Sequence, residues 1–118
     1  MSKIILYHNP RCSKSREALA ILQQKDLDID IIEYLKTPLS LSELHDLLAL
    51  LGLDNAHAMV RNKEAEFKQA GLNKQASDSE LLAAIAAYPK LMERPIGVLN
   101  KKAVIARPPE RVHEVLEE

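Results

Sequence analysis

Apolar and polar residues along this chain follow two different periods. Ile4-Ile5-Leu6-Tyr7 is a short apolar run with β-branched residues, too short for a helix, and it predicts a buried strand. From Ser13 to Lys25 the spacing changes, and Ala18, Leu19, Ile21 and Leu22 recur at helical intervals with polar residues between them. Asp28-Ile29-Asp30-Ile31-Ile32-Glu33-Tyr34 then alternates as a second strand. Strand, helix and strand within about thirty residues make a βαβ unit, which implies parallel pairing through a right-handed crossover.

Pro38 closes that unit and the pattern turns helical. Ser40 with Glu43 spells a capping box, in which the hydroxyl and the carboxylate each satisfy a free backbone N–H. Leu44, Leu47, Leu48 and Leu51 form one stripe of the following helix, which stops near Gly52. A shorter helix is expected from Glu64 to Ala70, ending at Gly71. Ser77 with Glu80 repeats the capping box ahead of Leu81, Leu82, Ile85 and Tyr88, and Pro89 ends that helix. Residues 38 to 90 are therefore expected to be all-helical, an insertion without strands and too small to bury a good core alone. Beyond Pro95, Ile96–Leu99 and Ala103–Ala106 flank a polar turn as an antiparallel hairpin. Pro108-Pro109 opens a last helix with Val112, Val115 and Leu116 facing inward, and Glu117-Glu118 reads as a frayed end. This chain order is that of an α/β, thioredoxin-like domain spanning residues 1–118. It has a mixed four-stranded sheet and a helical insertion between the βαβ half and the C-terminal hairpin plus helix.

Charge narrows the function. A net charge of −1 over 118 residues gives no bulk attraction to nucleic acid or to a membrane surface. With one Phe, three Tyr and no Trp, a base-stacking platform is not expected either. No apolar run approaches the roughly 18 residues of a membrane span, and no signal peptide is expected, since only four apolar residues follow Met1-Ser2-Lys3 before His8. The single cysteine cannot form an internal disulfide, which fits a reducing compartment, and a cytoplasmic location is expected.

That cysteine, Cys12, falls where the first strand hands over to the first helix. The first N–H groups of a helix lack intrahelical partners and carry the positive end of the peptide dipoles, so a thiolate or an oxyanion is stabilised there. A buried structural cysteine is the alternative reading, but Ser13, Lys14, Ser15 and Arg16 make poor core surroundings. Ser15 is placed to donate a hydrogen bond to the sulfur. Without a second cysteine three residues on, any disulfide formed in turnover needs an outside thiol. Arg16 stands in the first helical turn against the dipole, either paired with a carboxylate or supporting an anion. His8 begins the loop and could orient Asn9 or reach the surroundings of the sulfur. Arg61, Arg94 and Arg107 are candidates for an oxyanion, because guanidinium binds phosphate-like groups in bidentate fashion. Arg94 precedes Pro95 at the start of the hairpin, where a cis peptide is expected. No Cys/His/Asp spacing resembles a metal site, and no metal is expected.

These residues together resemble a known family. His8-Asn9-Pro10-x-Cys12-x-x-Ser15-Arg16 is similar to the signature loop of the glutaredoxin-coupled arsenate reductases. The likeness continues through Val60-Arg61-Asn62-Lys63, Pro89, Glu93-Arg94-Pro95-Ile96 and Ala106-Arg107-Pro108, in the family's order and over nearly the whole chain. Ser13 and Lys14 depart from it, standing where the best-characterised reductases usually have glycine and threonine. The resemblance implies a thioredoxin-like fold and reduction of arsenate to arsenite. Cys12 would be the nucleophile, Ser15 and His8 its catalytic support, and Arg61, Arg94, Arg107 and Arg16 the oxyanion's ligands. It implies no bound cofactor, glutathione as co-substrate, glutaredoxin as partner and a monomer. Two alternatives share the fold: a regulator of the Spx type that binds RNA polymerase, and a thiol-redox enzyme acting on another oxyanion or thiol.

Overall fold

The computed structural model describes residues 3–25 and 27–116, so Glu117 and Glu118 lie outside the described residues. The chain divides into two compact units. One is formed by Met1–Thr37 together with Arg94–Glu118, and the other is the continuous stretch Pro38–Glu93.

The first unit is built on a sheet. β1 (Lys3–Tyr7), α1 (Ser13–Gln23) and β2 (Asp28–Ile32) form the βαβ unit, and β3 (Ile96–Leu99) with β4 (Lys102–Ile105) form the hairpin. Strand order is β2-β1-β3-β4, with β1 parallel to β2 and antiparallel to β3. This is the mixed thioredoxin-like sheet that the pattern of apolar positions predicts. β2 is shorter than its alternation suggests, and ends at Ile32 before Glu33 and Tyr34. Asn100 takes a left-handed φ of 56° in the turn of the hairpin, a conformation asparagine tolerates better than most residues.

One face of the sheet carries the core. Ile4 and Leu6 point to the same side, two residues apart, and pack with Ala18 and Leu22 of α1 and with Val104, Ala106, Val112 and Val115. The last helix departs from expectation: residues Pro109–Val115 are 3₁₀ rather than α-helical. In a 3₁₀ helix side chains three apart eclipse, so Pro109, Val112 and Val115 form one buried row, and Leu116 is only partly buried. Gly97 accommodates that row. A Cβ built there would stand 3.3 Å from Val112 Cγ2, closer than ordinary packing.

The second unit contains α2 (Leu41–Leu51), α3 (Ala65–Gln69) and α4 (Asp78–Ala87). Both expected capping boxes are formed. Ser40 accepts from the Glu43 N–H at 3.1 Å while Glu43 accepts from the Ser40 N–H at 2.9 Å, and Ser77 and Glu80 repeat the exchange. Gly52 ends α2 at φ 66°, in the left-handed region. Leu44, Leu47, Leu81, Leu82 and Ile85 are buried, whereas Tyr88, expected on the inner stripe, is 38% exposed at the end of α4. The unit is not wholly helical. Short 3₁₀ turns occupy Ala56–Met59 and Pro89–Leu91, and an isolated antiparallel bridge joins Val60 to Met92. That bridge is non-local and leaves no periodic trace in so short a run.

Candidate active site

The loop that follows β1 is held from several sides. The His8 N–H donates to the Ile32 carbonyl at 2.8 Å, carrying the parallel ladder one residue beyond the strand. The Asn9 side-chain oxygen accepts from the Arg11 N–H at 3.0 Å, a local turn that asparagine makes readily. Asn9's own N–H donates to Ser15 Oγ at 3.2 Å, and Arg16 Nη1 donates to the Pro10 carbonyl at 2.9 Å. Arg16 thus braces the loop through a carbonyl. Ser15 is fully buried and its oxygen is an acceptor, which leaves its own proton to be donated elsewhere.

Cys12 is the N-cap of α1, with φ −94° and ψ 123°. Its N–H donates to the Asn9 carbonyl at 3.0 Å and its carbonyl accepts from the Arg16 N–H at 3.0 Å, so the backbone of the cysteine is fixed on both sides. The sulfur makes no capping hydrogen bond, and the residue is half-buried. No acidic residue lies in the first turn of α1 to neutralise the helix end. The cysteine therefore stands, half-buried, at a helix N-terminus whose dipole no carboxylate of the first turn offsets.

Register places the arginines of the hairpin at the same sheet end. Tyr7 pairs with Ile96, and Ile96 with Ile105. His8 leaves β1 one residue past Tyr7, Arg94 stands two before Ile96, and Arg107 two after Ile105. Both arginines precede cis prolines, Pro95 and Pro108. Arg107 Nη1 donates to the Arg94 carbonyl at 3.1 Å, and the Ala106 N–H donates to the Pro95 carbonyl at 2.8 Å, which ties the two segments together. Arg94 Nε is buried without a hydrogen-bond partner among the described residues.

His8 is almost fully buried, and its Nδ1 likewise has no hydrogen-bond partner among the described residues. Burial pushes its pKa below the ordinary histidine value; nearby Glu33 opposes the shift and Arg16 adds to it. The imidazole is therefore held towards its neutral form. On the β2 side of the loop an open cleft of about 250 Å³ is lined by His8, Asn9, Pro10 and Arg11 and by Glu33, Leu35 and Lys36. The last three carry no motif, and only the pairing of β1 with β2 brings them to the loop.

Cys12, Ser15, His8, Arg16, Arg94 and Arg107 thus share one end of the sheet unit. Arg61 belongs to the helical unit. There its Nη1 pairs with Glu64 at 2.9 Å and its Nε with Glu93 at 3.7 Å, while Lys90 also meets Glu64 at 3.5 Å. The Arg61 N–H donates to the Leu91 carbonyl at 2.7 Å and the Glu93 N–H to the Met59 carbonyl at 2.7 Å, so the Val60–Met92 bridge sets this ion network. Among the described residues no group of three His, Cys, Asp or Glu could hold a metal ion. No described helix is long and apolar enough to cross a membrane.

Known proteins resemble this chain over nearly its whole length. The ArsC family model matches residues 7–115. A protein of Neisseria meningitidis named arsenate reductase is 45% identical over 117 residues, 98% of this chain and 100% of its own length. One of Haemophilus influenzae with the same name is 44% identical over 114 residues, 96% of this chain and 98% of its own. Among solved structures, an arsenate reductase from Vibrio cholerae superposes with a TM-score of 0.92 at 47% identity, covering 97% of this chain and 98% of that one.

Proposed function

The chain belongs to the ArsC family, and from that membership we propose that it reduces arsenate to arsenite, with Cys12 as the nucleophile. The Cys12 thiolate attacks arsenic(V), and a hydroxide leaves as water after taking a proton, giving a sulfur–arsenic(V) adduct with no change of oxidation state. Glutathione displaces a second hydroxide as water through its own thiolate. A glutaredoxin thiolate then attacks the glutathione sulfur, and the electron pair of that sulfur–arsenic bond stays on arsenic. Arsenic is thereby reduced to the trivalent state as the two thiols become a mixed disulfide. Water releases arsenite and returns Cys12 as a thiol. With a single cysteine in the chain, any disulfide formed in turnover includes an outside thiol.

In this reading Arg94 and Arg107 take the oxyanion's charge, and Arg61 joins them on the strength of its Val60-Arg61-Asn62-Lys63 motif. Ser15 offers its proton to the Cys12 sulfur while Asn9 holds its oxygen. Arg16 and His8 keep the loop in shape around the sulfur, and Arg16 adds positive charge for the anion. No bound cofactor takes part, the reducing cytoplasm is the compartment that suits these thiols, and the working unit is a monomer. The observation that carries the proposal is Cys12 at the uncompensated end of α1, on the sheet end where register also brings Arg94 and Arg107.

The test is arsenate-dependent NADPH oxidation with glutathione, glutaredoxin and glutathione reductase. Wild type is expected to turn over, and Cys12→Ser to be inactive with an unchanged melting temperature. Equal rates in the two proteins, or a folded wild type that consumes no NADPH, would overturn the proposal.

A further inference from the structure

The arginines and the cleft lie on opposite flanks of the Cys12 loop. In the strand order β2-β1-β3-β4, Arg94 and Arg107 belong to the β3/β4 side, whereas Glu33, Leu35 and Lys36 follow β2. An oxyanion held by the arginines leaves the β2 flank open, and there the surface is already concave. We propose that this cleft is the subsite for the thiol co-substrate, and that it recognises a small peptide thiol by its charged ends. The inference rests on the arsenate-reductase reading, because it names where that reaction's first outside thiol binds.

The lining suits such a molecule. Arg11 and Lys36 offer two exposed cations to carboxylates, and Glu33 offers an anion to an ammonium group. Lys36 Nζ stands 3.4 Å from Glu33, so the two charges are already ordered and can exchange one another for the ligand's ends. Leu35, 43% exposed, gives the backbone of a peptide an apolar wall. Glutathione has two carboxylates and one ammonium, which is the complement of this arrangement. The cleft volume falls a little under the roughly 300–1,000 Å³ of sites that enclose drug-sized ligands, as expected for a flexible chain lying half in solvent. His8 adds a second, independent pointer. It lines the cleft, is 5% exposed, and has an Nδ1 with no hydrogen-bond partner among the described residues. Buried polar atoms are rarely left in that state. The chemistry adds no step to the one above: the bound thiolate displaces hydroxide from arsenic, and the cleft only holds its tail.

Two measurements test the subsite. In steady-state assays Lys36→Gln and Arg11→Gln should each raise KM for glutathione about five- to tenfold, the scale of one charge-assisted contact. KM for arsenate, and the rate with dithiothreitol as the only thiol, should stay at wild-type values. An unchanged glutathione KM, or an equal loss with dithiothreitol, overturns the subsite while leaving the reductase standing. Binding is also read without turnover, by titrating S-methylglutathione into wild type and following backbone amide NMR signals. Shifts at Glu33, Leu35 and Lys36 with none at Arg107 support the subsite even if no arsenate is reduced. Shifts elsewhere, or none, overturn it.

Discussion

Arg61 and Arg94 carry the same guanidinium but are engaged in opposite ways. In the helical unit Arg61 is already paired, with Glu64 at 2.9 Å and Glu93 at 3.7 Å. In the sheet unit Arg94 has a buried Nε with no partner, and its backbone carbonyl is fixed by Arg107. No carboxylate pairs with Arg94 among the described residues, so an anion has none to displace there. An arginine that must first loosen two carboxylates gains only the difference. Family motifs mark both residues alike, yet their energetic contributions to an oxyanion should differ.

The largest expected effect is that of Arg94→Ala, which should weaken arsenate binding by about 1.5–3 kcal/mol with little change in melting temperature. KM for arsenate in the coupled assay reads it. Arg61→Ala should cost less, about 0.5–1.5 kcal/mol, the range of an ordinary net hydrogen bond, because part of its charge is already engaged. Equal losses in the two variants would erase the distinction. Stability sharpens the contrast between the units. Ser40→Ala removes the capping box of α2 and should cost about 1 kcal/mol in urea unfolding, with kcat per folded molecule unaltered. The smallest effect is the most pointed. Glu64→Gln keeps the shape but removes the closest charge on Arg61, and KM for arsenate should fall about two- to threefold, the scale of a partly exposed ion pair. A rise in KM would mean that Glu64 positions Arg61 rather than competing for it.

Acid titration separates the units again. Burial holds the His8 pKa below about 6.5, so the unfolded chain takes up this proton first as pH falls. The stability linked to neutral His8 is present above that value and is lost as pH drops through the lowered folded pKa. In the helical unit the Ser40 N–H holds Glu43 below the usual carboxylate range, so its contribution fades only at more acid pH. His8→Asn should flatten the stability profile just below pH 6.5, and Ser40→Ala should not.

Much of this was legible in the chain itself, because the signals are local. Helix starts at Ser40 and Ser77 follow from residues three apart, and the junction at Cys12 from a change of hydrophobic period over a few residues. The motif around His8 and Cys12, with the three arginines, named the candidate chemistry. What the sequence left open is what depends on distant partners. Whether Pro109–Val115 winds as α or 3₁₀ was decided by the sheet and Gly97, which favour one buried row at a spacing of three. The bridge of Val60 to Met92, the engagement of Arg61 and the unpartnered Nε of Arg94 come from pairings across many residues, which no window of sequence contains. The cleft beside the loop has the same origin. Its far wall follows β2, and only the parallel register of Tyr7 with Ile32 carries Glu33, Leu35 and Lys36 to the nucleophile's loop. Residue types and local periods determined which groups this protein has for its chemistry. The register of four strands decided which of them face the same sheet end, because hydrogen-bonded pairing converts separation along the chain into adjacency in space.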